Sequence, residues 1–127
     1  MTGGDEISRS QGGQMRQDIW QNGKEEFLDM YTAVQNQIVQ GMLMGGKSGR
    51  VLLKESVERL RELLKEEQKE REQAVLWLVL ARVYRELGQA DSAKRAYERA
   101  LENAPDSVQT KQEYQSYLAE ERAKKKS

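Results

Sequence analysis

The sequence predicts an all-α protein, and three observations carry this prediction. The chain of 127 residues contains 33% charged and only 6% aromatic side chains, and its abundance of Glu, Lys, Arg, Gln, Leu and Ala favours helix over sheet. Apolar residues recur at intervals of three and four, as they do on one face of a helix. Glycines and a single proline separate these periodic stretches. A chain of this size builds one core, so we expect one domain of about five helices.

The helical domain is predicted to span residues 18–122. Residues 1–17 are mostly Gly, Ser, Gln and Asp, and ordering them would cost backbone entropy with little apolar burial in return. We therefore expect a disordered N-terminal segment. Residues 123–127 carry three lysines and are expected to form a basic, frayed tail.

Two apolar stripes predict the first two helices. The first helix is expected at about 18–43, with a stripe of Phe27, Tyr31, Val34 and Ile38. The second is expected at about 51–69, with a stripe of Leu53, Val57, Leu60 and Leu64. The intervals of three and four place each stripe on one helical face. Gly45, Gly46 and Gly49 lie between the two helices and predict a break.

The segment GMLMGGKS at 41–48 satisfies G-x-x-x-x-G-K-S, the pattern of a phosphate-binding loop. Such a loop needs a buried strand before it and a helix after it. The preceding residues, YTAVQNQIVQ, follow a helical period and carry four polar residues within the six from Gln35 to Gln40. We therefore interpret GMLMGGKS as a hinge between two helices, with Lys47 as a solvated charge and no nucleotide bound.

A helical hairpin is predicted next. The apolar run AVLWLVLARVY at 74–84 fits either a buried strand or a buried helix by periodicity alone. A break at Gly88, a periodic stretch at 90–103 and a stop at Pro105 favour two antiparallel helices at 74–87 and 90–103. A fifth helix is expected to start with Asp106 as its N-cap. Its apolar side should contain Val108, Tyr114, Tyr117 and Leu118.

Residues 74–107, AVLWLVLARVYRELGQADSAKRAYERALENAPDS, resemble the tetratricopeptide repeat family. The first helix of the repeat is matched by Trp77, Leu80, Ala81 and Tyr84, the turn by Gly88, and the second helix and its terminator by Ala93, Tyr97, Ala100 and Pro105. Upstream, ESVERLRELLKEEQ is similar to a second helix of this kind. Ser56, Leu60 and Leu63 would correspond to Ala93, Tyr97 and Ala100, which implies a degenerate upstream repeat.

The resemblance implies a short helical solenoid whose first helices line a groove that holds a peptide or helix of a partner. The groove positions would be Val75, Leu78, Arg82, Arg85 and Glu86. An apolar beginning and a cationic end would suit an amphipathic segment with acidic residues at one end. A simpler interpretation of Arg82 and Arg85 is that they are surface charges paired with Glu86 or Glu102.

Composition narrows the classes of function. Lys plus Arg equals Asp plus Glu at 21 each, so no global field attracts nucleic acid or an anionic membrane. The chain has no cysteine and no histidine, which removes the usual metal ligands, thiol nucleophiles and neutral-pH proton carriers. No apolar run is long enough to span a bilayer. We expect a cytoplasmic, non-enzymatic protein-interaction module, an adaptor or assembly factor, with a protein or peptide partner and no cofactor, metal or nucleic acid.

A self-associating structural element is the alternative. The first helix is long, bears methionine and aromatic side chains, and is joined to the rest by glycines. Helix 18–43 could fill its own groove or that of a neighbour, which would make a homodimer possible.

Overall fold

The computed structural model describes residues 27–67 and 69–126, and this part of the chain consists of five helices without a strand. Residues 27–44 belong to α1. The other helices are α2 (Gly46–Glu66), α3 (Glu70–Glu86), α4 (Ala90–Asn103) and α5 (Val108–Lys126). The all-α prediction, with a hairpin array and a C-terminal helix, is confirmed. The segment predicted to be disordered, 1–17, and the predicted start of the first helix at residue 18 lie outside the described residues.

The chain divides into two compact units, Met1–Ala33 and Val34–Ser127. In the first unit the described residues, 27–33, are helical. The rings of Phe27 and Tyr31 stack there, with centroids 6.2 Å apart and planes within 4°. Their spacing of four places both rings on one side of the helix, as the sequence pattern predicts.

The second unit contains a core built mainly by α2, α3 and α4, with α3 packed along α4 and also against α2, and α5 packed on α4. Its largest fully buried side chains include Leu60, Leu63, Leu76, Leu80, Val83 and Tyr97. The small residues Ala93, Ala96 and Ala100 face this core from α4 and are at most 1% exposed. Small side chains at these positions let the α3 and α4 backbones approach closely.

The connection between α1 and α2 is tighter than the predicted hinge. Gly45 is its single non-helical residue, and α2 begins at Gly46 rather than near residue 51. Gly45 and Gly46 have φ angles of 63° and 58°, a left-handed conformation that glycine adopts without steric cost. Gly49 is buried against α1, where a Cβ atom would collide with the carbonyl oxygen of Gly41. The glycines therefore form a close helix corner.

The phosphate-loop pattern has no structural counterpart. The residues before it, 27–44, are helical, so no strand delivers the loop. Lys47 is exposed in the first turn of α2, as expected for a solvated charge.

The turn between α3 and α4 confirms the role predicted for Gly88. The Gly88 N–H donates to the carbonyl oxygen of Arg85 at 3.1 Å, and the Gln89 N–H donates to that of Tyr84 at 2.9 Å. This pair of hydrogen bonds is a Schellman motif, and Gly88 supplies the required positive φ, 77°. Helix α4 has the predicted bounds, whereas α3 begins at residue 70 rather than 74.

Helix α5 differs from its prediction at its N-terminus. Ser107, not Asp106, caps it: the Ser107 hydroxyl oxygen accepts a hydrogen bond from the Thr110 N–H at 3.2 Å. Val108 was expected to face the last repeat but is 63% exposed, while Tyr117 is buried as expected. The helix continues to Lys126, and the domain boundary at residue 122 with a basic, frayed tail stays a prediction.

Candidate functional site

The five predicted groove residues lie along one side of α3, and we call them the α3 strip: Val75, Leu78, Arg82, Arg85 and Glu86. The first four are spaced three, four and three apart, which places them on one helical face. Val75 is 44% exposed, and Glu86 is exposed as well. Leu78, Arg82 and Arg85 are half-buried. The structure therefore brings the predicted residues together as a continuous, partly apolar strip.

Arg82 is held by a carboxylate of α5. Its Nε donates to Oε2 of Glu113 at 2.9 Å, and its Nη2 donates to Oε1 of the same carboxylate at 2.8 Å. The hydrogen bond from Arg82 is the main reason that the pKa of Glu113 lies below its usual value, against the opposing effect of burial. Two parallel charge-assisted bonds fix the guanidinium plane as well as its position.

Arg85 is also bound to α5. Its Nη2 lies 2.6 Å from both carboxylate oxygens of Glu120, and its guanidinium carbon lies 5.1 Å from the centre of the Tyr117 ring. Both arginines of the α3 strip thus bind carboxylates of α5. The Glu86 and Glu102 carboxylates considered in the sequence analysis are not the groups that bind them.

Tyr97 connects the two ion pairs. Its side chain is fully buried, and its hydroxyl donates to Oε2 of Glu113 at 3.0 Å while accepting from Nη1 of Arg85 at 3.3 Å. Burial is the main cause that raises the pKa of Tyr97 to about 12, and the Glu113 charge acts in the same direction. The ring also stacks on Tyr114 with centroids 5.2 Å apart. The phenol is therefore neutral at physiological pH and serves as a buried hydrogen-bonding centre.

Sequence reasoning missed the acidic partners, Glu113 and Glu120, and the polar role of Tyr97. A signal for them existed in the spacing. Glu113, Tyr117 and Glu120 lie four and three residues apart and share a face of α5. This face offers an acid, an aromatic ring and an acid to the two arginines of α3.

The described residues around the α3 strip include neither a metal-binding cluster nor a membrane-spanning helix. Among the residues the structure describes, no group of three acidic, histidine or cysteine side chains could hold a metal ion. The described helices include none that is long and apolar enough to cross a membrane. The α3 strip exposes apolar surface at Val75 and Leu78. Its two arginines, Arg82 and Arg85, are paired with carboxylates of α5.

Fold and site together define a short array of antiparallel helices, in which the α3–α4 hairpin is followed by a helix stacked on it. Residues 74–117 match the sequence model of the tetratricopeptide repeat. The chain contains a tetratricopeptide repeat in α3 and α4, and the match extends into α5. No curated protein and no solved structure matches the chain.

The degenerate upstream repeat stays a prediction, because the matched residues begin at Ala74. The proposed counterparts of the repeat positions, Ser56, Leu60 and Leu63, are all at most 1% exposed.

Tetratricopeptide repeats generally mediate protein–protein interactions, using surfaces formed where helices stack.

Proposed function

We propose that this chain is a non-enzymatic protein-interaction module, an adaptor or assembly factor, that presents the α3 strip to a peptide or helix of a partner protein. The observation that supports this best is Val75, a valine in the first helix of the repeat that is 44% exposed beside the half-buried Leu78. Burying exposed apolar area of this kind under a partner is favourable in free energy.

The charges of the α3 strip limit the kind of partner. Arg82 and Arg85 keep 40% and 30% of their side-chain surface exposed although each is paired with α5. Acidic groups of a partner can still reach the open edges of these guanidinium groups. Glu86 lies on the same side and offers an acceptor to a lysine or arginine. The proposed partner segment is therefore amphipathic, with apolar side chains against Val75 and Leu78 and charged side chains beyond them.

The test compares three substitutions in this chain, two inside the α3 strip and a matched one outside it, for their effect on binding a partner recovered from the source cell. Val75→Asp places a charge in the α3 strip and should weaken binding at least about tenfold in a calorimetric titration, because it opposes apolar contact. Val108→Asp makes the same change at a valine that is 63% exposed outside the strip and should leave binding unchanged. Leu78→Asp should weaken binding like Val75→Asp. Equal binding by all these variants would exclude the α3 strip as the site.

Self-association is the second candidate, and a separate observation favours it. Five apolar residues near the α1–α2 corner are 43–81% exposed: Val39, Met42, Leu43, Met44 and Val51. Exposed apolar side chains of this size often belong to an interface. Light scattering during size-exclusion chromatography separates the two candidates. A monomer at every concentration supports the adaptor, whereas a dimer that Leu43→Asp dissociates supports self-association.

A further inference from the structure

A second concave surface lies between α2 and α4, and we call it the outer cleft. It encloses about 220 Å³ and is lined by Arg61 of α2, Trp77 and Tyr84 of α3, and Ser92, Arg95 and Arg99 of α4. Trp77 and Tyr84 each follow a residue of the α3 strip by two positions, about 200° around the helix. The outer cleft is therefore distinct from the α3 strip.

The lining of the outer cleft is cationic and contains no carboxylate. Arg61 and Arg95 are exposed, and neither guanidinium group makes a hydrogen bond or ion pair with another described residue. Arg99 has one ion pair, with Glu102 at 3.9 Å, in which both side chains are more than 60% exposed. An exposed pair at this distance contributes little. Three arginines thus line one cleft, and the only ion pair among them with a described residue is the exposed pair of Arg99 with Glu102.

Hydrogen-bond donors and an aromatic surface complete the outer cleft. The guanidinium carbon of Arg99 lies 5.9 Å from the centre of the Trp77 ring, which orients this cation over the indole. Tyr84 and Ser92, which each carry a hydroxyl group, line the same cleft. Arginine forks match the two oxygens of a carboxylate, and hydroxyls add further donors.

The outer cleft continues into a second hollow of about 420 Å³, which shares Arg61, Tyr84 and Ser92 with it. The continuation is lined by the apolar residues Val57 and Leu87 and by charges of both signs, namely Lys54 and the carboxylates Glu55 and Glu58. A bound segment would therefore have its anionic part at the Arg95 and Arg99 end and less charge toward Val57.

We propose that the outer cleft binds an acidic, carboxylate-bearing segment of a partner protein. The chain has no net charge, so this preference comes from the local cluster of Arg61, Arg95 and Arg99. A carboxylate-rich segment relieves the mutual repulsion of the three cations and forms charge-assisted hydrogen bonds with them.

The test uses Trp77 as a reporter inside the outer cleft. The chain has two tryptophans, so Trp20→Phe in the full chain leaves Trp77 as the only one. An octapeptide of glutamate should change the Trp77 emission in a saturable way, and an octapeptide of glutamine should not. Added salt should weaken the glutamate titration, because the contacts are between exposed charges.

Two triple variants with the same loss of charge localise the binding. Arg61→Gln with Arg95→Gln and Arg99→Gln should weaken glutamate binding at least about tenfold. Arg71→Gln with Lys111→Gln and Arg122→Gln removes three exposed cations outside the cleft and should leave binding unchanged. If the first triple variant has a lowered melting temperature, the glutamate titration is repeated with the single variant Arg95→Gln.

Three results would overturn the proposal. The first is no saturable response to the glutamate peptide, and the second is an equal loss of binding in the two triple variants. The third is binding of a phosphoserine peptide or a DNA oligonucleotide without binding of the glutamate peptide. That result would indicate that the three arginines bind phosphate groups and not carboxylates. Val75→Asp provides an independent control, since it lies in the α3 strip and should not alter the response.

Discussion

Arg82 and Glu113 form two parallel hydrogen bonds, Nε to Oε2 at 2.9 Å and Nη2 to Oε1 at 2.8 Å, although they are 31 residues apart in the chain. This pair joins the first helix of the repeat to α5. Helix α5 is largely polar, and only Tyr117 and Thr110 are buried among its described side chains. Specific polar contacts therefore supplement a small apolar contact in holding α5 on the hairpin.

A double-mutant cycle on this pair should give a measurable coupling energy. We expect Arg82→Gln and Glu113→Gln to couple by about 1 kcal/mol, because the bidentate bond is partly buried but one partner is 40% exposed. Urea unfolding of the two single variants and the double variant measures this energy. Arg99 and Glu102, 3.9 Å apart and exposed, provide the control pair, which should couple by much less. Equal coupling in the two pairs would contradict the structural role of Arg82 and Glu113.

Alkaline pH should destabilise the fold through Tyr97. Its pKa is raised to about 12, whereas an unfolded tyrosine titrates near pH 10. The folded state thus favours the neutral phenol, so this stabilisation is fully present below pH of about 10 and is lost as the pH rises toward 12. The free energy of unfolding should fall more steeply across this window in the native chain than in Tyr97→Phe. Parallel pH curves for the two proteins would show that Tyr97 does not carry the effect.

The register of the tetratricopeptide repeat can be tested by overpacking. Ala93 and Ala100 are buried, with 0% and 1% of their surface exposed. Ala93→Leu or Ala100→Leu should lower stability by about 1 to 3 kcal/mol, because the core has no room for three more carbons. Gln89→Leu, at an exposed position, should change the melting temperature little. If all three variants melted alike, these alanines would not be close-packing positions.

Sequence periodicity predicted the helices of the repeat well because their faces are sharply divided. In α4 the buried positions Ala96, Tyr97 and Ala100 lie three, four and seven residues after the buried Ala93, so the period fixes the face that packs. Gly88 and Pro105 also have local backbone effects that do not depend on distant residues. For the α3 strip, spacing shows only that Val75, Leu78, Arg82 and Arg85 share one side of the helix. Its role as a partner surface rests on the resemblance to the tetratricopeptide repeat and stays a prediction.

Features that depend on contacts between distant helices could not be predicted in this way. The partners of Arg82 and Arg85 lie on α5, and only the packing of α5 brings Glu113 and Glu120 to them. The outer cleft likewise joins arginines from α2 and α4. The glycines at 45, 46 and 49 indicated a break, but the sequence alone did not distinguish a hinge from a close contact of two backbones.

Gly49→Ala tests the close contact between α1 and α2. Alanine favours helix over glycine by about 1 kcal/mol, so a flexible hinge or an open helix surface would gain stability from this change. A Cβ at residue 49 would instead collide with the carbonyl oxygen of Gly41, and backbone cannot move aside as a flexible side chain can. We expect a net loss of about 1 to 3 kcal/mol in thermal or urea unfolding. Ser48→Ala, at an exposed neighbour, should be nearly neutral, and a stabilised Gly49→Ala protein would contradict the close packing.

The central claim is that the α3 strip contacts a partner protein, and site-specific photo-crosslinking measures this contact most directly. Val75 and Val108 are replaced in separate full-length proteins by p-benzoylphenylalanine, which is irradiated in extract of the source cell. Mass spectrometry then identifies the crosslinked peptides. The proposed function predicts one recurring partner segment of amphipathic sequence crosslinked from position 75, lost when Leu78→Asp is added, and absent from position 108. The same partner captured equally from both positions, or no partner captured from position 75, would contradict the claim.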